Sequence, residues 1–201
     1  MTDTHEQTED HVDYLSRISE AKGFLGREFL TWLWFIAETG DSKVVLKDAQ
    51  DNEDLELDIW VDDRLVLENS SSTEMQESVM KGGDPSQTDE AAAALRSGKT
   101  VKEMRIGVNV TGVGEYSAIL NSVDLSPRSL KLPEPDSSEN ITDSDETRTM
   151  QRMQFTDTFL TVLDGLFSMY MKDRIDDDWK KKRHSKISSW IKTRQASPTF
   201  H

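Results

Sequence analysis

The residues best suited to binding chemistry in this sequence are basic ones near its C-terminus. Between Lys172 and Arg194 the chain carries nine Lys or Arg residues and four Asp residues. Ammonium and guanidinium groups clustered in this way bind phosphate oxygens, and Trp179 and Trp190 are close in sequence. The five candidates for phosphate contact are Lys180, Lys181, Lys182, Arg183 and Lys186. The alternative is a solvated charged face, on which the helix dipole favours cations toward the C-terminal end.

A second basic group follows Gly98 and consists of Lys99, Lys102 and Arg105. It is the other candidate for contact with a nucleic acid. Either group would act against the charge of the whole chain, which is -14, with 38 Asp and Glu against 24 Lys and Arg. An acidic surface repels phosphate backbones, so binding to a nucleic acid requires a locally basic face.

Residues that would support catalysis or metal binding are sparse. The absence of Cys excludes disulfides, thiolate metal sites and a cysteine nucleophile. The four His residues are not close to one another in sequence, and no nucleophile elbow or phosphate-binding glycine loop is present. The segment TGVGE lacks the third glycine of a dinucleotide fingerprint and fits a hairpin turn. We therefore expect no catalytic residue, no cofactor and no metal, and an enzyme is the third choice among the possible functions.

The segment LELDIWVDDRLVLEN combines carboxylates with the alternation of a half-buried strand. Leu55, Leu57, Ile59 and Val61 alternate with Glu56, Asp58, Trp60 and Asp62, which places the acids on the solvent face rather than in a metal site. The pair Asp62-Asp63 predicts a tight turn into a second strand at 64–68, so we expect a hairpin here.

The most apolar stretch, FLGREFLTWLWF, contains two charges, Arg27 and Glu28. Its periodicity predicts a helix over 26–38, with an apolar face so broad that several neighbours must cover it. Adjacent residues on a helix point about 100° apart, so the two charges do not pair with each other. We expect an acid favoured by the N-terminal helix dipole and an arginine that snorkels or pairs with a strand residue. A functional role for the two charges remains open.

The other elements follow from local patterns. A short helix is predicted from His11 to Lys22, and another over EAAAALRSGK, which is preceded by the capping sequence SQTD and closed by Gly98. Strands are predicted on both sides of TGVGE, with a short edge strand at Leu130 and Leu132. Two helices are predicted after residue 147, and together they form a C-terminal pair.

These elements predict an α+β fold, with an antiparallel sheet of about five strands packed on the buried apolar helix and a C-terminal helical pair. The expected organisation is a disordered tail at 1–10, a core domain at 11–132, an acidic flexible linker at 133–147, the helical pair at 148–195 and a tail at 196–201. The polar N-terminus lacks the pattern of a secretory signal, and no run approaches the roughly 18 apolar residues of a membrane span. We expect a cytoplasmic protein without membrane contact.

Three segments together resemble a known family: FLGREFLTWLWF, then DDRLVLE, then DEAAAALRSGKTVKEMRIGVNV with YSAILNSVDLSPRSLKLP. They are similar to the C-terminal part of the recombination-associated RdgC proteins, over roughly residues 24–132. The resemblance implies a nucleoid-associated protein that binds DNA with little sequence preference, forms a ring-like dimer around duplex DNA and restrains the strand-exchange recombinase. Lys99, in the Gly-Lys step, is the basic residue that matches a family position. The family's larger N-terminal part is not covered.

The leading hypothesis is a non-enzymatic DNA-associated protein that modulates recombination, with duplex DNA and a protein partner or a second copy as its partners. It would be nucleoid-associated if it binds DNA. The alternative is an acidic protein-interaction module, either a subunit of a larger assembly or a mimic of DNA charge. Salt dependence separates the two, because only DNA binding through several cations releases counterions.

Overall fold

The computed structural model describes residues 24–40, 43–47, 54–69, 77–134 and 145–194. The helices in these ranges are α1 (Phe24–Glu38), α2 (Asp89–Arg96), α3 (Asp145–Ile175) and α4 (Ser185–Thr193). The strands are β1 (Lys43–Lys47), β2 (Asp54–Glu68), β3 (Glu77–Lys81), β4 (Thr100–Val110), β5 (Gly114–Asn121) and β6 (Pro127–Lys131). They form one antiparallel sheet in the order β1-β2-β4-β5-β6, with β3 beside β2. The predicted α+β fold class is confirmed.

The helix α1 is the centre of the core. Every residue from Phe29 to Ile36 is buried, because α1 packs on β2 and β4 and is also contacted by α3 and α4. Phe29 meets Phe167 of α3 edge-on at a centroid distance of 5.2 Å, and Trp34 meets Trp190 of α4 at 5.6 Å. The predicted broad apolar face is thus explained by cover from the sheet on one side and from two helices on the other.

The strand β2 corrects the predicted hairpin. It runs unbroken from Asp54 to Glu68, and Asp62-Asp63 is not a turn. Its register against β4 shifts between Val61 and Leu65, so the three residues between them face Arg105 alone. This is a bulge, which lets the chain continue in the same direction and keeps the apolar side chains after it in the core.

The strand β3 was not predicted; it lies in the polar part of the sequence between β2 and α2. It pairs with the second half of β2, from Arg64 to Glu68. Only Met80 of its five residues is buried, so the strand has no apolar alternation by which to recognise it. Its extended form follows from the free edge that the second half of β2 offers.

The remaining predictions for the core agree with the structure. The helix α2 begins after Thr88, whose hydroxyl accepts a hydrogen bond from the Ala91 N–H at 3.1 Å, and Gly98 follows its end with a φ of +86°. The strands β4 and β5 flank the TGVGE turn, and β6 is the predicted edge strand.

Several predicted segments lie outside the described ranges, namely the tails at 1–10 and 196–201, the helix at 11–22 and most of the linker at 133–147. The helix α3 begins at Asp145, three residues before the predicted start of the C-terminal pair. None of the helices in the described ranges is long and apolar enough to cross a membrane.

Candidate nucleic-acid interface

The basic run KKKRH forms a π-helical turn, Lys180–His184, which leads directly into α4. The N–H of His184 donates to the carbonyl of Trp179 at 2.9 Å, five residues back. Such turns are rare, cost helical stability and are frequent at functional sites. Trp179 before the turn, and Ile187 and Ile191 after it, are buried. The turn is therefore held at both ends while its central side chains face outward.

Three of the five predicted phosphate contacts are free cations. Lys180, Lys181 and Lys186 are exposed, and none of them forms an ion pair with another residue of the described ranges. An ammonium group in this state can exchange its bound water and counterions for a phosphate without first breaking a salt bridge. These three lysines are the strongest part of the candidate interface.

The other two predicted contacts are engaged within the protein. The Nζ of Lys182 lies 2.5 Å from Asp178 Oδ2, one helical turn earlier, and this hydrogen bond raises the pKa of the lysine. The Nε of Arg183 donates to Asp173 Oδ2 at 2.9 Å. Lys182 is still largely exposed and can reorient toward a ligand, whereas Arg183 is half-buried.

Arg183 has a structural role that the sequence did not reveal. The same Asp173 oxygen that binds Arg183 also accepts a hydrogen bond from Trp32 Nε1 at 3.2 Å. This chain of contacts connects the basic turn to the centre of α1. No pattern relates Trp32 to Asp173, because they lie 141 residues apart.

The second basic group is bound to its own sheet. Lys102 on β4 pairs with Glu77 of β3 and, at 3.4 Å, with Glu68 of β2. The hydrogen bond to Glu77 is the main cause of its raised pKa. Lys99 donates to the hydroxyl of Ser78 at 2.7 Å.

Arg105 resembles these two lysines, since its Nε lies 2.9 Å from Asp63 Oδ1 across the β2 bulge and its side chain is only 11% exposed. Within the described residues, no hydrogen bond or ion pair joins this group to the C-terminal one. The structure therefore shows that Lys180, Lys181 and Lys186 are accessible, whereas Lys99, Lys102 and Arg105 are engaged with neighbouring residues. The sequence alone does not reveal this difference.

The charges inside α1 are structural. Arg27 pairs with Glu68 and donates to Thr100 Oγ1 at 2.7 Å, so it contacts strand residues as predicted. Glu28 is 2% exposed; it accepts a hydrogen bond from the Tyr170 hydroxyl at 2.9 Å and lies 2.7 Å from Arg174 Nε. Burial, together with the nearby Glu28 carboxylate, raises the pKa of Tyr170 well above its usual range. The two charges do not pair with each other.

The acidity of the chain is unevenly placed. The described ranges contain 22 of the 24 Lys and Arg residues but only 24 of the 38 Asp and Glu residues, which gives them a net charge of -2. The other segments carry the remaining 14 acids and two bases. The described residues taken together are nearly neutral, so their own field does not strongly oppose an anionic ligand.

No group of three or more His, Asp or Glu residues within the described part of the chain is placed to hold a metal ion. Comparisons of this chain with protein-family models, with curated proteins and with solved structures each find no match.

Proposed function

We propose that this chain is a non-enzymatic protein that binds duplex DNA with little sequence preference. The contacts come from Lys180, Lys181 and Lys186, with Lys182 as a further contact once it leaves Asp178. The observation that carries the proposal is a set of three exposed ammonium groups, without an ion pair among the described residues, on a helical segment that is anchored in the core. Contacts of this kind reach phosphates rather than base edges, so they carry no sequence information.

The anchoring of the helix supports binding as much as its charge does. A flexible basic tail would lose conformational entropy on binding, whereas these lysines project from a backbone that is already fixed. Buried Trp179 and Ile187, and the link through Arg183 and Asp173, hold the turn before any ligand arrives. Only the lysine side chains need to be ordered by DNA.

Three further parts of the proposal rest on the resemblance to RdgC proteins. These are modulation of recombination and a location at the nucleoid, with a second copy of the chain as an additional partner. The exposed lysines of the π turn and α4 support binding to DNA only. Lys99, which matches a family position, already donates to Ser78, so we assign it less weight than the lysines of the π turn.

The proposal is tested by the salt dependence of binding to duplex DNA. Labelled duplexes of unrelated sequence are titrated with the full chain, and the affinity is measured by fluorescence anisotropy over a range of salt concentrations. We expect similar affinities for all duplexes and a linear fall of log affinity with log salt. Changing Lys180, Lys181 and Lys186 to Gln should reduce the slope by about 2.7, or about 0.9 for each phosphate that the variant no longer binds.

A matched control separates local contacts from net charge. Lys43, Lys47 and Lys81 are exposed on β1 and β3, and changing them to Gln removes the same charge from another region. This variant should keep most of the wild-type slope. The proposal fails if the wild type does not bind DNA at low salt, or if both triple variants lose the same affinity.

The second candidate function is the acidic protein-interaction module. It is favoured by the concentration of 14 Asp and Glu residues, against two Lys and Arg residues, in the segments outside the described ranges. A module of this kind ignores DNA at every salt concentration. Absence of DNA binding by the wild type at low salt would therefore make it the first choice.

A further inference from the structure

A tryptophan lies flat on the face of the sheet that points away from the helices. Trp60 stands on β2 between Ile59 and Val61, which are both buried in the core, so the alternation of the strand directs its ring to the opposite face. Across the sheet it is aligned with Gly107 of β4, and Gly107 with Ser117 of β5. The aromatic ring therefore lies on the face of the sheet opposite the one that α1 covers.

Gly107 is what allows the ring to lie flat. A Cβ atom built on this glycine would stand 2.0 Å from Trp60 Cε2 and 2.4 Å from its Nε1, so the indole fills the space of the missing side chain. One face of the ring thus rests on the β4 backbone. Trp60 remains partly exposed, and its ring borders an open cleft.

The cleft beside Trp60 has a volume of about 620 Å³ and a mainly acidic border. Its charged lining residues are Asp62, Glu115, Glu134 and Lys131, which are three carboxylates against one ammonium group. The Asp62 carboxylate is oriented by the Ser117 hydroxyl, which donates to its Oδ2 at 2.7 Å. An aromatic floor with a fixed carboxylate beside it is suited to a planar cation.

We propose that this cleft binds an arginine side chain presented by a basic segment of a partner protein. The guanidinium stacks on the exposed face of Trp60 and donates hydrogen bonds to Asp62, while Glu115 and Glu134 supply long-range attraction. Charge complementarity selects this occupant, because the three carboxylates repel phosphate and therefore disfavour a nucleic acid. The site is independent of the proposed DNA contacts, which lie on the π turn and α4.

The test uses a short peptide with one Arg between Gly and Ser residues, together with matched peptides that carry Lys or citrulline. Citrulline has the shape of arginine without its charge. The five tryptophans of the ¹⁵N-labelled full chain are observed by NMR through their indole N–H signals, and the Trp60 signal is assigned with Trp60→Phe. We expect the arginine peptide to shift the Trp60 signal selectively, the lysine peptide to shift it less and the citrulline peptide to leave it in place.

Two variants strengthen the test. Trp60→Leu should weaken binding of a labelled arginine peptide by about tenfold, and Asp62→Asn should also weaken it. Glu90→Gln removes the same charge from an exposed position on α2 and should have no effect. Absence of a Trp60 shift, or an equal response to citrulline, would overturn the proposal. Equal binding of lysine would overturn the assignment to arginine, and a stronger response to a short single-stranded oligonucleotide would replace it by base stacking.

Discussion

The two basic groups of this molecule contain the same residue types and differ in their neighbours. On β4, Lys102 contacts Glu68 of the neighbouring strand β2 and reaches across it to Glu77 of β3, which pairs with the other side of β2. On the π turn and α4, Lys181 and Lys186 project from the surface of the molecule, and no carboxylate of the described residues is paired with them. Availability to a ligand is therefore decided by the elements around a cation, not by its position in a basic run.

The contrast also holds for the energetic consequences of substitution. When one member of an enclosed ion pair is removed, the other member keeps a charge that is no longer compensated. Removal of a free surface charge leaves no unpaired group in the protein. The molecule should therefore respond to changes at enclosed charges with a loss of stability, and to changes at free lysines with a loss of binding.

The largest effect is expected at Glu28, which is the most deeply buried charged residue of the described ranges. Glu28→Ala removes the partner of Arg174 and of the Tyr170 hydroxyl, and we expect the free energy of unfolding to fall by about 3 kcal/mol. Urea unfolding measures this difference. Lys181→Ala is the control and should change stability by less than about 0.5 kcal/mol. A Glu28→Ala variant as stable as the control would show that the buried pair contributes little.

A smaller effect with a distinct pH dependence is expected at Tyr170. Its pKa is raised in the folded protein by burial and by Glu28, from an ordinary value of 10.0. Above pH 10 the unfolded chain loses this proton while the folded chain keeps it, so the wild type loses stability as the pH rises. Tyr170→Phe should cost about 1 kcal/mol at pH 8, because it removes the hydrogen bond to Glu28, and that difference should shrink between pH 9 and 11.

Unfolding curves of both proteins across this pH range would check the linkage at Tyr170. A difference that stays constant from pH 8 to 11 would contradict it, because the tyrosine would then ionise equally well in the folded and unfolded chains.

The smallest stability effects are expected for single lysines, and they sharpen the division between the two groups. Lys102→Gln leaves Glu68 with one partner fewer and Glu77 without its lysine, and we expect a loss of about 0.5 to 1 kcal/mol. Lys180→Gln should change the melting temperature by no more than the error of the measurement. Differential scanning calorimetry compares the two variants directly, and equal shifts would remove the distinction.

The parts of the molecule that the sequence predicted are those with a repeated apolar pattern. The broad apolar face of α1 predicted a buried central helix, and the capping sequence before α2 predicted where that helix begins. The prediction of a hairpin at Asp62-Asp63 was wrong because this pair is equally compatible with a turn and with a bulge. Only the pairing of β2 with β4 decides which of the two forms. The strand β3 was missed because its conformation is imposed by a neighbouring strand.

The cations of the candidate site could be predicted from the sequence, but not all of their partners could. A run of lysines and an arginine is visible in the sequence, but the carboxylates that engage some of them are not. Asp178 is near Lys182 in the sequence, and an i, i+4 pairing could have been expected. The link from Arg183 through Asp173 to Trp32 depends on how α3 packs against α1, and no local pattern encodes it.

The most direct test of the central claim compares the salt dependence of DNA binding for the wild type and two triple variants. One variant changes Lys180, Lys181 and Lys186 to Gln, and the other changes Lys99, Lys102 and Arg105 to Gln. We predict that the first variant loses about 2.7 from the slope of log affinity against log salt and keeps its melting temperature. The second should keep the slope and melt at a lower temperature. A larger loss of slope in the second variant than in the first would contradict the account.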